Sequence, residues 1–475
     1  MGLNNSEKQI SILFITLILG LFGCIVATPL FSDGMFLDGV IYAAVANNMA
    51  LGIGSFWEPH LSNTLFDSFY EHPPLAMGLQ ALCFKLFGNS IYVERFYSLA
   101  TFLINTQIIV LIWKELTQDR FLSFLPLLFF ILIPDIQWSF SNNLLENTMM
   151  IFCSTSFYLL IKHAKTEKKV YVLFAGLLLF LSILSKGFVG LYLWGFPLFF
   201  WFFFRRNSFI QATYSTLWLL SATVIPFLVL YFFLPAGWNS FVSYIQEQVV
   251  NSLQNVQTVN SRFEIVFIFL NQIIISVALG LVVWFLVKRK IQVNTSPEET
   301  KYSYILICLV AGGVLPILIS LKQRGFYILT VYPFFSLALA LLLKPYFKHL
   351  LLRITVKTWS ILRIVSFALV GFAFVLSLLQ FNSIKRDKPE LELIYFINEN
   401  IPNGATLDLS EEFKENWSLH SYAARHGQYN LIRNTPEKVE FKIENASRIS
   451  EYPKENIVWT SEKYALIRLR NSNSD

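Results

Sequence analysis

Eleven stretches of roughly 20 apolar residues run along this chain, and they constrain its fold more than any other feature. Coiled at about 1.5 Å per residue, a run of that length matches the ~30 Å hydrocarbon layer of a bilayer. The runs lie near residues 10–31, 92–113, 121–137, 143–161, 170–185, 187–204, 211–234, 263–287, 302–320, 325–343 and 360–381. Composition supports the same class. Only 14% of residues are charged, against about 25% in soluble domains, so a water-soluble enzyme of this size could not cover its surface. With 47 Phe and 11 Trp, the chain is also too aromatic to be disordered. The expectation is an all-α polytopic membrane protein of about 11 transmembrane helices.

Basic residues in the short loops give the orientation. With the N-terminus inside, 18 Lys and Arg fall on the cytoplasmic side, including Lys162, Lys165, Lys168 and Lys169 in one loop and Lys288, Arg289, Lys290 and Lys301 in another. Before the tail, the opposite face holds six: Lys85, Arg95, Lys186, Arg262, Lys322 and Arg324. This is a positive-inside pattern. Acids go the other way, with Asp33, Asp38, Glu71, Glu94, Asp135 and Glu146 among those facing outward. An odd number of crossings puts the residues after about 382 outside. The membrane domain is therefore read as 1–381, with a long first outer loop at 32–91, and residues 382–475 as a small soluble α/β domain. Its β-like runs are Thr406–Leu409, Ile457–Thr460 and Tyr464–Leu469, with a helix at Glu390–Asn400. The four cysteines (Cys24, Cys83, Cys153, Cys308) lie in or beside apolar runs without metal-ligand spacing, and the tail has none to pair.

Long loops between spans are usually functional. The first outer loop opens with Asp33-Gly34 and Asp38-Gly39. The stretch Val40–Ala50 then reads as an interfacial helix ending at Gly52. Farther on, Glu71-His72-Pro73-Pro74-Leu75 precedes another helix running to Phe87-Gly88. Pro74 suits a first helical position, while Pro73 forces His72 into an extended conformation. Glu71 and His72 are thus held at a helix N-terminus, where backbone N–H groups attract anions. A carboxylate in one loop segment and an imidazole at such a terminus make a constellation for handling a phosphate and a proton.

The strings Asp38-Gly39-Val40-Ile41-Tyr42-Ala43 and Glu71-His72-Pro73-Pro74-Leu75, with the Lys186-Gly187 hairpin, resemble the GT-C glycosyltransferases. The similarity is to bacterial members of the protein-mannosyltransferase type, including the aminoarabinose transferases that modify lipid A, and it covers about residues 10–345. It implies a GT-C fold of about 11 to 13 spans with interfacial helices in the first outer loop. It further implies transfer of a sugar from a polyprenyl-phosphate (undecaprenyl-phosphate) carrier to an acceptor hydroxyl, with inversion, on the periplasmic face of a bacterial inner membrane. Asp38 matches the essential first-loop acid, which accepts or orients the acceptor's proton; a helix-capping Asp is the plainer alternative. Many relatives have Glu directly after this Asp, whereas here it is Gly39, so the second carboxylate falls to Glu146 or Glu71. His72 replaces a phosphate-contacting Lys of the aminoarabinose transferases, and either donates to phosphate or stabilises the turn. Glu146 stands where relatives have an acid that shapes the acceptor site, or else matches the helix dipole.

Lys186 would pair with phosphate, or snorkel as an ordinary interface lysine. Lys322-Gln323-Arg324-Gly325-Phe326-Tyr327 resembles the family's basic-plus-tyrosine phosphate motif, with Arg324 and Tyr327 as its contacts. Arg95 either touches substrate or fixes the loop through Glu94, Glu71 or Asp38. The outer loop 235–262 is read as a cover over the site or as an interfacial helix. Nothing in the chain demands a cofactor or a metal, though a divalent cation stays open. The expected partners are a polyprenyl-phosphate-linked sugar, a lipid, glycan or protein acceptor, and membrane lipids, with no nucleic acid. Two alternatives are kept: a glycan polymerase or ligase using lipid-linked substrates, and a lipid or sugar transporter (flippase). Against transport, the acids cluster at one face and no paired repeat is evident.

Overall fold

The computed structural model describes residues 5–288, 296–351, 353–433 and 439–469. Arg289 and Lys290 of the cytoplasmic basic set lie outside them. Among the described residues, eight helices are long and apolar enough to cross a membrane, and nine when one bent pair counts as a single span. The eight correspond to the apolar runs near 10–31, 92–113, 170–185, 211–234, 263–287, 302–320, 325–343 and 360–381.

The other three runs fold differently, for local reasons. The run at 121–137 breaks into Phe124–Ile131 and Pro134–Ser141, which meet at 80° because Pro134 cannot continue the helix. Backbone groups freed there are taken up by side chains: Gln137 donates to the Ile131 carbonyl at 2.6 Å, and the Asp135 N–H donates to Gln272 at 2.9 Å. The run at 143–161 becomes the helix Leu145–Thr166, which is polar at both ends (Glu146-Asn147-Thr148 and Lys162-His163-Ala164-Lys165). The run at 187–204 is a 3-10 stretch, Phe188–Gly195, followed by the short helix Phe196–Phe204.

The described residues fall into two compact units. The bundle unit comprises the residues up to Thr28, Ser98–Ser141 and Leu145–Leu379. The loop-and-tail unit joins Pro29–Tyr97, Asn142–Leu144 and the residues from Gln380 onward. The first outer loop therefore groups with the tail, whereas the sequence boundary at 381 assigns it to the membrane domain.

The tail is a five-stranded sheet in the order β2-β1-β3-β5-β4, built from β1 (Thr406–Leu409), β2 (Asn430–Ile432), β3 (Phe441–Asn445), β4 (Ile457–Thr460) and β5 (Tyr464–Arg468). β1 runs parallel to β2 and β3, while β5 is antiparallel to β3 and β4. The β1–β2 connection carries the helix Trp417–Gly427, as a parallel crossover requires. The helix Lys388–Asn400 buries Leu391, Ile394 and Ile397, one stripe at 3.6-residue spacing, into a core with Leu407, Leu419, Tyr422 and Leu466. Met35 and Val40 of the first loop enter the same core, which holds the tail together without a disulfide.

Candidate active site

The eight candidate residues divide evenly. Asp38, Glu71, His72 and Arg95 belong to the loop-and-tail unit, and Glu146, Lys186, Arg324 and Tyr327 to the bundle unit.

In the loop-and-tail unit the helix Leu37–Leu51 ends on Gly52 in the left-handed region, where its N–H caps the carbonyls of Asn48 and Met49, as the sequence predicts. Tyr42–Asn48 is buried, packed by the helices Leu75–Phe87 and Trp417–Gly427. Asp38 stands in its first turn, half-buried, and makes no ion pair or hydrogen bond among the described residues. Gly39 follows because the Asn142 carbonyl comes so close that a Cβ would collide with it. Any side chain at this position, a carboxylate included, is therefore sterically barred. Asn143 reinforces the approach, donating to the Gly39 carbonyl at 3.2 Å and pairing with the Gln80 amide.

Tyr42 lies four residues after Asp38, hence on the same helical face. The His72 ring stands edge-on to Tyr42 at 5.4 Å. Asp38 and His72 are thereby gathered on one side of one helix. Glu71 is exposed. The following helix begins at Leu75 with Pro74 as its cap residue, one position later than the sequence predicts.

Arg95 is buried, and its partners differ from those expected. It donates to the carbonyls of Pro29 at 2.7 Å and Gly34 at 3.2 Å, with Asp33 at 3.9 Å as its ion partner. Glu94 is instead clasped by Arg425 of the tail at 2.8 and 3.2 Å. Arg425 also donates to the Ser90 carbonyl at 2.9 Å and lies 4.7 Å over the Phe84 ring. Arg95 thus holds the loop through backbone carbonyls, which no charge pattern in the sequence reveals.

In the bundle unit Glu146 opens the helix Leu145–Thr166 and is 1% exposed. Lys186 ends the helix Lys169–Lys186, 8% exposed, with its ammonium 3.3 Å from the Glu146 carboxylate and 5.7 Å over the Phe326 ring. Phe326 in turn stacks on Trp138 at 5.9 Å. Gly187 takes φ +112°, and a Cβ there would land on the Tyr244 hydroxyl, so only glycine permits the hairpin to close against the outer loop. Burial, then the neighbouring Tyr327, pushes the Tyr244 phenol well above its usual range and keeps it protonated. The outer loop folds as a helix Pro235–Tyr244, a π-helical turn Ile245–Val250 and a short helix Asn251–Gln254. Lys322 ties that loop down, donating to Gln248 at 3.1 Å and Ser252 at 2.9 Å.

Gln323 is buried and saturated. It receives the Ile265 N–H at 2.8 Å and donates to the carbonyls of Arg262 and Ser320, both at 2.8 Å. That anchor leaves the adjacent Arg324 exposed in extended backbone, just before the 3-10 helix Gly325–Val331 that carries Phe326 and Tyr327. Sequence reasoning missed Gln323, Tyr244 as a hairpin partner and Phe326 under Lys186. Asp135, which accepts the Tyr332 hydroxyl at 3.4 Å, was read only as an outward acid. Among the described residues, no group of three His, Cys, Asp or Glu side chains is arranged to hold a metal ion.

Residues 71–232 match the model of the dolichyl-phosphate-mannose-protein mannosyltransferase family. No curated protein matches the sequence at a significant level. Among solved structures, ArnT from Cupriavidus metallidurans bound to undecaprenyl phosphate aligns with a TM-score of 0.63 and 13% identity, over 96% of this chain and 98% of that one. ArnT from the same organism in the apo state gives 0.64 at 13% identity, over 98% and 99%. At that identity the likeness is one of fold: this chain has the fold of ArnT, and residues 71–232 are similar to the dolichyl-phosphate-mannose-protein mannosyltransferases.

Proposed function

We propose that the protein moves a sugar from a polyprenyl-phosphate carrier to an acceptor hydroxyl on the periplasmic face of a bacterial inner membrane. The observation that carries this reading is Asp38, a half-buried carboxylate that makes no ion pair or hydrogen bond among the described residues and shares a helical face with the Tyr42 on which His72 rests. A carboxylate so placed can take a proton as a hydroxyl becomes a nucleophile. The acceptor oxygen attacks the anomeric carbon while the bond from that carbon to the phosphate oxygen breaks. The bonding pair leaves with the polyprenyl phosphate, the hydroxyl proton passes to Asp38, and the anomeric centre inverts.

In the bundle unit Lys186, Arg324 and Tyr327 are the groups suited to the charge of a leaving phosphate, and in the loop-and-tail unit His72 is a hydrogen-bonding group for phosphate. Glu146 holds Lys186, Arg95 holds the first loop, and Glu71, exposed, is the second acid. These roles call for no cofactor. The undecaprenyl phosphate bound by ArnT supports the carrier class, and the positive-inside pattern supports the orientation. The acceptor class is a lipid of the lipid A type, a glycan or a protein.

The test supplies purified protein with radiolabelled polyprenyl-phosphate sugars and candidate acceptors. Label should move with the native chain and not with Asp38→Asn, whose insertion stays normal. Full activity in that variant, or no transfer from any lipid-linked donor, would overturn the assignment.

A further inference from the structure

The helices Leu145–Thr166 and Lys169–Lys186 form a hairpin, so Glu146 and Lys186 share one end. At 1.5 Å per residue the turn at 167–168 lies roughly 25–30 Å away, close to a full bilayer core. Against that turn is a cavity of about 520 Å³ that the transfer reaction does not use. Its lining joins the rings of Phe200, Trp201, Tyr214 and Trp218 to Lys169 and Glu167.

Two features give this cavity a preference for a phosphodiester. Lys169 is exposed, its ammonium held 5.5 Å over the Trp218 ring. It is also the first residue of its helix, whose start has no side-chain cap. A second helix, Phe209–Phe233, starts at the same place with Gln211 and Ala212 in the lining, but Ser208 and Gln211 close its first turn with a capping box. One uncapped helix N-terminus and one ammonium therefore face the cavity.

The surface beyond it is apolar and unburied, with Phe209 55%, Leu217 51% and Trp218 43% exposed. That is the surface lipid chains cover, and tryptophan and tyrosine rings are typical of the headgroup level. Glu167 disfavours a free phosphate dianion, whereas a singly charged diester with hydroxyls can pair with Lys169 and leave the acid solvated. His163, bonded through its Nε2 to the Ser215 hydroxyl at 3.0 Å, adds polar groups on the same wall.

We infer that this cavity is the headgroup site of an anionic phospholipid in the leaflet opposite the Glu146–Lys186 pair. Lys169 faces the phosphate, and the acyl chains lie along Leu217 and Trp218.

The test uses the full chain in phosphatidylcholine nanodiscs and follows its thermal unfolding as phosphatidylglycerol is added. Inorganic phosphate and further phosphatidylcholine form the parallel arms. Phosphatidylglycerol should raise the midpoint, and the other two should not. Lys169→Gln should weaken the apparent affinity about fivefold, the worth of one basic residue near a membrane surface, and Lys169→Arg should restore it. Lys168→Gln, exposed on the same turn but not in the lining, should leave it unchanged. Equal responses of the native chain and Lys169→Gln, equal loss in the two glutamine variants, or a shift produced by inorganic phosphate alone would each overturn the assignment.

Discussion

Asp38 and Glu146 are the same kind of group in the same kind of place, each a carboxylate in the first turn of a helix. Their surroundings make them different reagents. Glu146 is 1% exposed and tied to Lys186 at 3.3 Å, so its charge is already matched inside its own unit. Asp38 is half-buried and makes no ion pair or hydrogen bond among the described residues. A carboxylate neutralised by an ammonium is a poor base, while one at a helix start beside partly excluded water is available to a substrate proton. Helix position alone does not tell the two apart. The partner does.

The sharpest way to break this contrast is to remove each carboxylate's charge and compare turnover. Asp38→Asn should lower the transfer rate by about 10²–10⁴, the usual worth of a positioned base, with membrane insertion unchanged. Glu146→Gln should cost less in rate at saturating donor. Equal losses would erase the distinction between them.

Next in size is the buried pair itself. Lys186→Ala leaves an uncompensated buried carboxylate, which costs about 3–5 kcal/mol and should lower the unfolding midpoint. Lys186→Met combined with Glu146→Gln should recover most of that stability but not the use of lipid donor. Recovery of both would make the pair purely structural.

Arg324→Ala should raise KM for the polyprenyl-phosphate donor about tenfold, the loss of a charge-assisted hydrogen bond of roughly 1.5 kcal/mol, and leave acceptor KM unchanged. A change confined to the acceptor would move Arg324 to the other substrate.

The smallest effect concerns a third kind of carboxylate, in the tail. Burial pushes Glu444 up, but hydrogen bonds from Lys442, the Asn445 N–H, Ser410 and Tyr452 outweigh it and bring the group down to about 2. Glu390 is also lowered: burial opposes, and Lys463, Tyr464 and Asn416 prevail. Because both folded values lie below the usual 4.5, their stabilisation is complete above that pH and drains away as pH falls toward 2. Hydrogen exchange in β3 and β5 should rise over that window.

Sequence legibility followed the range of the forces involved. Most of the apolar runs, the stop at Gly52, the helix end at Lys186-Gly187 and strands β1, β4 and β5 were readable because each is decided within a few residues. The helix Trp417–Gly427 was not, since its buried Arg425 is matched by Glu94, 331 positions earlier. β2 is only three residues long, too short for periodicity to show. Pro134 was visible, but the 80° bend it sets depends on Gln137 and Gln272 receiving the freed backbone. Arg95 and Gln323 look like a charge and an amide in any sequence. Only the fold shows that they spend their hydrogen bonds on carbonyls.

The π-helical turn Ile245–Val250 has a consequence for how the outer loop can change. A π turn carries one extra residue, which rotates everything after it by about 100° relative to a continuous α-helix. Tyr244, before the turn, meets the Lys186-Gly187 hairpin, while Gln248 within it and Ser252 after it meet Lys322. The extra residue is what lets one short segment serve two anchors in different directions. A single-residue deletion there would turn the Lys322 contacts about a quarter-circle aside, although every side chain kept its chemistry. For this loop, insertion and deletion are coarser instruments than substitution. Its reach is set by phase.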